Sequence, residues 1–338
     1  MTIAIVFAFA FVTAVVTSLL VTPRVRRIAV QAGVIDSVDE RRMHAEPKPR
    51  AGGLAIYLAF AFALFVSIGL ALKISPTLFH RADDIHDVLG LLFGGTMIVI
   101  VGLWDDVIGM RPRDKFLAQL VVAVVSMSYG FIITGFELPV AHIYVSVPLW
   151  VGLPLTALWY LGMMNAINFL DGLDGLLAGV TAISGLFLFA IAVGHGHLVP
   201  ALALCAIVGG ALGFLPYNFN PAKIILGDTG SLFIGYVFAT VSIIVTAKVA
   251  VTVSLLVPLL ALAFPIVDTG LAILRRLRAG KSIATADRNH LHHLLVFRFG
   301  LNVRQAVLLI YGVSFALGAA AYVLSGALTH IRVAGAGL

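Results

Sequence analysis

Charged side chains are scarce in this sequence: Asp, Glu, Lys and Arg make up 11% of the 338 residues, against about 25% in an ordinary soluble domain. Hydrophobic residues make up 61%, and the mean hydropathy is +1.07. This deficit of charge excludes an ordinary soluble globular protein. It predicts an integral membrane protein.

Cysteine is also nearly absent. The single cysteine, Cys205, cannot form an internal disulfide, which excludes disulfide-scaffold and zinc-finger proteins. A net charge of +6 is compatible with a nucleic-acid binder, but the 22 Lys and Arg residues are confined to a few loops between apolar segments. The expected partners are therefore anionic lipid and phosphate, with no nucleic acid.

Apolar segments of about 20 residues, the length that crosses a bilayer as a helix, recur along the chain. They predict an all-α polytopic membrane protein of about ten transmembrane helices, which forms a single domain over residues 1–338. The predicted spans are residues 2–22, 51–72, 89–104, 116–134, 147–165, 174–193, 199–215, 231–247, 250–274 and 304–326.

Basic residues are distributed unequally between alternate loops. Eighteen of the 22 lie around residues 23–50, 105–115, 223 and 275–304, and the other four lie in the remaining loops and at the C-terminus. Because Lys and Arg are retained on the cytoplasmic side, these loops are predicted to be cytoplasmic and both termini to lie outside. The first apolar segment is predicted to be a retained span, since its basic cluster follows it.

Acidic residues at the ends of spans are the first candidates for function, because ionisable groups at membrane depth are costly. Asp105 and Asp106 end the third predicted span, and Lys115 opens the fourth. Adjacent carboxylates repel each other unless they share a cation or a proton. The alternative is that both are solvated loop residues that cap helix ends.

Four polar residues recur at every third position of an otherwise apolar segment: Asn165, Asn168, Asp171 and Asp174. A strict three-residue repeat drifts by about 60° per step around an α-helix, so the four share a face only if the segment is partly 3₁₀ or opens into a loop. Two glycines in the segment permit such an opening. Carboxylate and amide oxygens suit a hard cation such as Mg²⁺, while the alternative is a turn with helix caps.

The segment Leu226-Gly227-Asp228-Thr229-Gly230-Ser231 immediately precedes an apolar span. Glycines let backbone N–H groups approach a phosphate, and a helix N-terminus adds a partial positive charge. A simple helix cap is an equally good interpretation. The segment also lacks the Gly-Lys-Ser/Thr sequence of a Walker A loop.

A basic and histidine-rich stretch follows the ninth predicted span. Arginines at its start can bind a diphosphate, and imidazoles near its end can donate hydrogen bonds to it. The alternative for the arginines is cytoplasmic retention and lipid contact. A zinc site is a further possibility for the histidines, although no cysteine lies nearby and the acidic clusters favour a harder metal. The residues concerned are Arg275, Arg276, His290, His292 and His293.

Five ordered motifs together resemble the polyprenyl-phosphate N-acetylhexosamine-1-phosphate transferases, which are of the glycosyltransferase family 4 type. The resemblance spans most of the chain, and its motifs lie in loops that the basic residues independently place on the cytoplasmic side. The motifs are residues 42–53, Asp105-Asp106 with Lys115 and Gln119, and residues 165–175, 227–231 and 287–293.

The resemblance implies an enzyme of the bacterial cytoplasmic membrane whose active site faces the cytoplasm. Such an enzyme transfers the sugar 1-phosphate of a UDP-N-acetylhexosamine to a polyprenyl phosphate and releases UMP. The implied cofactor is Mg²⁺, with Mn²⁺ as a substitute, which would neutralise the diphosphate and stabilise the leaving UMP. A homodimer is a further expectation from the family, although no motif here requires it.

Residue roles follow from the same resemblance. Asp228 corresponds to the principal Mg²⁺ ligand, with Asp171 beside it as a second metal residue. Whether Asp105 or Asp106 deprotonates the lipid phosphate or supports the metal stays open, and a covalent aspartyl intermediate is the less favoured mechanism because a phosphate can attack directly. The implied catalytic residues are Asp105, Asp106, Asp171 and Lys115, and the implied substrate-binding residues are His44, Arg50, Asn165, Asn168, Asp174, Arg275, Arg276, His290, His292 and His293.

Two bacterial branches of the family differ in the sugar that they transfer. One transfers phospho-N-acetylmuramoyl-pentapeptide for peptidoglycan, and the other transfers N-acetylglucosamine-1-phosphate or a related sugar for O-antigen, teichoic acid or other glycans. Residues 47–53 and the interrupted histidines of residues 290–293 resemble the second branch, with Lys48 a minor departure from its commoner small or apolar residue. Transfer of N-acetylglucosamine-1-phosphate to undecaprenyl phosphate is therefore favoured. The alternatives are the muramoyl reaction and, in a different class, a lipid or ion transporter.

Overall fold

The computed structural model describes residues 2–36, 47–75, 82–138, 143–247, 259, 262–278 and 291–325. Helices dominate this part of the chain, which also contains two short antiparallel pairs of strands. The helices are α1 Thr2–Gln31, α2 Gly53–Ile74, α3 Ala82–Ile108, α4 Pro112–Ser128, α5 Leu149–Leu170, α6 Leu176–Gly194, α7 Leu198–Asn218, α8 Gly227–Ala247, α9 Ala263–Arg278, α10 Leu291–Phe297 and α11 Val303–Leu324. The strands are β1 Ile35–Asp36 with β2 Lys48–Pro49, and β3 Gly135–Leu138 with β4 Ile143–Ser146.

Eight of the described helices are long and apolar enough to cross a bilayer: α1 to α3, α5 to α8, and α11. This confirms the predicted all-α, multi-pass membrane protein. Helix α4 has only 17 residues, and part of the predicted span at 250–274 lies outside the described residues. The number ten, the side of the membrane on which each terminus lies and the single-domain organisation remain predictions.

Several helices extend beyond the apolar segments that predicted them. Helix α1 continues through Pro23 to Gln31, and α3 continues to Ile108. Asp105 and Asp106 therefore lie in the last turn of α3. The loop that is predicted over residues 105–115 begins only at Gly109, where φ is +82°. Hydropathy detects only the apolar part of a helix, whereas a helix continues until a residue such as this glycine stops it.

Helix α8 is the central helix of the described bundle. It packs against α2, α3 and α5. In its most apolar stretch 94% of the residues are buried, compared with 28% in the corresponding stretches of α1 and α11. Polar side chains join it to α5, where Tyr160 and Thr240 share a hydrogen bond of 2.9 Å. The first turn of α8 is thus surrounded by the ends of other helices.

Glycines allow the backbones of α2 and α3 to approach the first turn of α8 closely. A Cβ atom at Gly102 on α3 would lie 2.6 Å from the carbonyl oxygen of Asp228, and one at Gly53 on α2 would overlap Gly230. Small residues permit such close packing between membrane helices. This packing brings the carboxyl end of α3 beside the amino end of α8.

Candidate active site

A lysine links two acidic residues from different helices. The Lys115 ammonium lies 2.9 Å from Asp105 Oδ2 and 2.8 Å from Asp228 Oδ2. These residues come from the start of α4, the end of α3 and the start of α8, so the contact joins three helix ends. All three side chains are mostly enclosed, and an ion pair in such a place is screened less by salt than one at the surface.

The adjacent acids Asp105 and Asp106 have different partners, because consecutive helical residues point about 100° apart. The Asp106 carboxylate accepts hydrogen bonds from the backbone N–H groups of Asp228 and Thr229, both at 2.9 Å, and from the Thr229 hydroxyl at 2.6 Å. Asp105 instead accepts one from the Met110 N–H at 2.7 Å and faces Lys115. Asp106 therefore caps α8 from a neighbouring helix, while its predicted catalytic role remains a prediction.

Gly227 makes this cap possible in two ways. Its φ of +71° is one that a glycine adopts without strain, and a Cβ atom there would lie 2.5 Å from Asp106 Oδ2. Because Asp106 already accepts from the Asp228 and Thr229 N–H groups, these two groups are not available to a phosphate. The cap of α8 is thus supplied by Asp106 of α3 and not by a residue of this segment, and phosphate binding by the rest of the segment remains a prediction.

The segment with polar residues at every third position opens into a turn, as predicted. Helix α5 ends at Leu170, and α6 follows Gly175, whose φ is +81°. Asn168 lies on the last turn of α5 and donates hydrogen bonds to Asp228 Oδ1 and, at 2.7 Å, to Ser231 Oγ. This amide therefore orients the carboxylate that Lys115 also contacts.

Asn165, one turn earlier, lies away from these acids. Its amide donates to Gln119 Oε1 at 2.7 Å and to the Leu161 carbonyl oxygen at 2.8 Å. The first contact joins α5 to α4, the helix that carries Lys115. The structure thus places Asn165 in the support of α4, and its predicted contact with substrate remains a prediction.

Asp171 follows α5 in the turn and lies within electrostatic reach of the other acids. Burial, followed by the negative charges of Asp228 and Asp106, raises the pKa of its carboxyl group to about 7, against the opposing effects of Arg50 and the Gly227 N–H. A carboxyl group with such a pKa holds a proton that a cation can replace near neutral pH.

Asp174 is the centre of a separate hydrogen-bond network. Its carboxylate is only 4% exposed and accepts hydrogen bonds from Lys48 Nζ at 2.8 and 3.0 Å. It also accepts from Asn220 Nδ2 at 3.1 Å and the Ala222 N–H at 3.0 Å. These contacts tie three segments together, so a substrate would have to compete with them for Asp174. The sequence identified Lys48 only as a departure from the family pattern, and the structure gives it this partner.

Arg50 lies between two acids at the edge of the same region. Its Nε is 3.5 Å from Asp106 Oδ1, and its Nη1 is 3.7 Å from Asp36 Oδ1. Backbone hydrogen bonds hold its segment beside the start of α8, with the Gly52 N–H donating to the Ile225 carbonyl at 3.0 Å. Sequence reasoning missed Asp36, because no motif contains it and only the pairing of β1 with β2 brings it near Arg50.

The histidine-rich stretch is only partly described. Asp268 on α9 is buried and accepts a hydrogen bond at 2.8 Å from the Leu291 N–H at the start of α10. This contact anchors α10 to α9, where Arg275 also lies. The predicted substrate-binding side chains outside the described part of the structure are those of His44, Arg276, His290, His292 and His293.

The oxygen donors of the cluster suit Mg²⁺. Within the described residues, no group of three or more His, Cys, Asp or Glu side chains is arranged as a complete metal site. Mg²⁺ does not require one, because one or two carboxylates usually hold it while waters and substrate phosphates complete its shell. Asp228 and Asp105 provide two carboxylates that already face one cation, the Lys115 ammonium group. Asn168 fixes the orientation of the Asp228 carboxylate.

Comparison with known proteins places these observations in a family. Residues 88–246 match the family model described as Glycosyl transferase family 4. This stretch extends from α3 almost to the end of α8 and contains Asp105, Lys115, Asp171 and Asp228. The matched region therefore includes the acidic cluster and its lysine.

Several curated proteins are similar over most of their length. The chain is 38% identical to a Bacillus subtilis protein named "Probable undecaprenyl-phosphate N-acetylglucosaminyl 1-phosphate transferase", with 94% of this chain and 85% of the relative covered. It is 34% identical to the decaprenyl-phosphate N-acetylglucosaminephosphotransferase of Mycolicibacterium smegmatis, with 88% and 77% covered.

A relative of the muramoyl branch is less similar. The chain is 28% identical to the phospho-N-acetylmuramoyl-pentapeptide-transferase of Staphylococcus saprophyticus, with 93% of this chain and 97% of the relative covered. The predicted resemblance to the N-acetylglucosamine branch is confirmed by this difference in identity. On the strength of these matches, the chain belongs to glycosyl transferase family 4.

Proposed function

We propose that this protein transfers N-acetylglucosamine-1-phosphate from UDP-N-acetylglucosamine to undecaprenyl phosphate and releases UMP. The product would begin a lipid-linked glycan of the bacterial cell envelope. The observation that carries the proposal is the convergence of Asp105, Lys115 and Asp228 from three helix ends at 2.8 and 2.9 Å. Family membership and the names of the N-acetylglucosamine relatives support it.

The cluster lies where the two substrates meet. The ends of α3 and α5 and the starts of α2, α4 and α8 lie together at one end of the bundle. The predicted cytoplasmic loops adjoin these same helix ends, so the positive-inside rule favours a cytoplasmic site. A soluble nucleotide sugar reaches this boundary from the water, and a lipid phosphate reaches it from the membrane.

The reaction is a phosphoryl transfer. An oxygen of the lipid phosphate forms a bond to the phosphorus that carries the sugar, and the bond from that phosphorus to the bridging oxygen breaks, so that UMP leaves with the bonding electrons. Such a reaction depends mainly on positioning and on stabilisation of negative charge. A bound Mg²⁺ would neutralise the diphosphate and the charge that develops on UMP.

The side chains have distinct proposed tasks. Asp228 and Asp105 hold the cation, and Asn168 keeps one Asp228 oxygen oriented so that the other faces the site. Lys115 and Arg50 supply positive charge for the phosphates. Asp105 is better suited to holding a cation than to acting as a base, because it contacts an ammonium group and a phosphate monoester, with a second pKa of about 6, has little proton left to lose at neutral pH.

UMP release by the purified protein in detergent tests the proposal. The reaction contains undecaprenyl phosphate, Mg²⁺ and UDP-N-acetylglucosamine, and a parallel reaction contains UDP-N-acetylmuramoyl-pentapeptide. We expect release with the first sugar only and its loss on addition of EDTA. Release with the muropeptide alone would assign the protein to the muramoyl reaction. No release with either sugar from folded protein would refute the proposal and favour the transporter alternative.

Substitution of the proposed metal ligand provides the matched comparison. We expect Asp228→Asn to abolish UMP release with its unfolding temperature little changed, because Asn keeps the shape of the side chain but not its charge. Asp84→Asn, at the opposite end of α3 from the cluster, should retain full release. Normal turnover in Asp228→Asn would remove Asp228 as the metal ligand. The mass of the detergent complex would test the expected homodimer.

A further inference from the structure

Lys115 is placed as a cation would be, between two carboxylates. Its nitrogen lies 2.8 Å from one oxygen of Asp228 and 2.9 Å from one oxygen of Asp105. Mg²⁺ binds oxygen at about 2.0–2.1 Å, so an ion that bound both of these oxygens would lie between the two carboxylates. It would occupy the space that the ammonium group now fills.

The rest of the site makes this lysine hard to replace as a source of positive charge. Asp106 and Asp171 add two further carboxylates near Asp228. Arg50, the other nearby base, has Asp106 and Asp36 as its acidic neighbours. Lys115 is therefore the base in contact with both Asp105 and Asp228 in the described structure. Without a cation or a shared proton between them these two carboxylates would repel each other.

The lysine side chain also has the freedom to leave. It is a compact charge on a flexible four-carbon stem with rotatable donors, and it extends from the first turn of α4. The helix is held separately, by the hydrogen bond between Asn165 and Gln119. The ammonium group can therefore move while the backbone of α4 stays in place.

We propose that Lys115 is a built-in counter-cation that holds Asp105 and Asp228 together, competes with a divalent cation for their oxygens, and moves to a substrate phosphate when it is displaced. This inference rests on the proposed function, since it assumes that these acids bind the metal of the reaction. It assigns the lysine two successive partners. If Lys115 only contacted phosphate, its removal would leave the metal affinity unchanged. If it only helped to hold the metal site in shape, its removal would weaken metal binding.

Divalent-cation affinity without nucleotide is the decisive measurement. Mn²⁺ binding to the detergent-solubilised protein would be followed by the electron paramagnetic resonance of free Mn²⁺, in wild type, Lys115→Met and Arg113→Met. Removing a nearby competing cation should tighten Mn²⁺ binding by about tenfold or more in Lys115→Met. Arg113→Met, an exposed base in the same turn, should bind as wild type does. Equal or weaker binding by Lys115→Met would overturn the inference.

A second measurement uses the unaltered protein, in case Lys115→Met does not fold. Amine acetylation, quantified by mass spectrometry with and without Mn²⁺, reports whether the lysine leaves its partners. The internal reference is Lys48, which is paired with Asp174 and 14% exposed, close to the 17% of Lys115. We expect Mn²⁺ to increase acetylation of Lys115 but not of Lys48. Unchanged or lower acetylation of Lys115 would overturn the inference.

Neither measurement depends on turnover, so the two proposals can fail separately. Active wild-type protein whose Lys115→Met variant gains no Mn²⁺ affinity would refute the counter-cation and leave the transferase standing. Protein that shows the gain in affinity but releases no UMP would refute the proposed reaction and retain the competition between lysine and metal.

Discussion

Replacement by asparagine should affect stability at one of the two neighbouring acids of α3 and activity at the other. Asp106→Asn alters a buried carboxylate that accepts hydrogen bonds from two backbone N–H groups and a hydroxyl of α8. An asparagine has one acceptor oxygen where the carboxylate has two, so its NH₂ group must face a donor. We expect this variant to be destabilised and Asp105→Asn to remain folded but inactive.

The magnitude follows from the contacts that are lost. A hydrogen bond to a charged group contributes about 1.5–3 kcal/mol, and loss of the negative charge at the N-terminus of α8 adds about 0.3–1 kcal/mol. Asp106→Asn should therefore lower the free energy of unfolding by about 2–4 kcal/mol. For Asp105→Asn we expect about 1 kcal/mol or less, because Asn can still accept from Met110 and Lys115 keeps Asp228 as a partner.

The single cysteine provides the assay. Cys205 is buried within α7, so a thiol-reactive fluorescent dye should label it faster once the bundle opens, and heating gives an unfolding temperature in detergent. UMP release is measured on the same samples at a temperature where both variants are folded. Equal unfolding temperatures for the two variants, or a lower one for Asp105→Asn, would refute the assignment of Asp106 as the cap of α8.

Three further predictions concern other parts of the site. Gly102→Ala should lose about 1–3 kcal/mol of stability and most of its turnover, because the added methyl group meets the α8 backbone. Gly69→Ala, whose added methyl group meets nothing within 4 Å, should match wild type in the thiol-dye and UMP assays. Lys48→Met should lower the free energy of unfolding by about 3 kcal/mol, because it leaves the buried Asp174 carboxylate without its cation, and Lys48→Arg should lower it less. Equal unfolding temperatures for Lys48→Met and wild type would contradict this. Because the pKa of Asp171 is raised to about 7, its carboxyl group is protonated below that pH, and Mn²⁺ affinity should fall as the pH drops from 8 to 6. An Asp171→Asn variant that retains the full pH dependence would show that another group is responsible.

The class of protein and the general location of its chemistry follow from the amino-acid sequence alone. Apolar segments of membrane-spanning length can bury their backbone hydrogen bonds only as helices, so the all-α, multi-pass architecture followed from hydropathy. The polar spacing and the two glycines of residues 165–175 indicated that the chain can open into a turn there, because a three-residue repeat does not stay on one face of an α-helix. The resemblance also indicated the family, since its motifs occur in order along most of the chain.

The contacts between polar groups depend on how the helices pack and are not visible in the sequence. Asp105 and Asp106 are equivalent in sequence, but the close approach of α3 to α8 directs one to Lys115 and the other to the α8 backbone. Lys48 and Asp174 are 126 residues apart, and no local pattern relates them. Hydropathy and motif spacing describe short stretches of chain, whereas these partners depend on how helix ends pack in three dimensions.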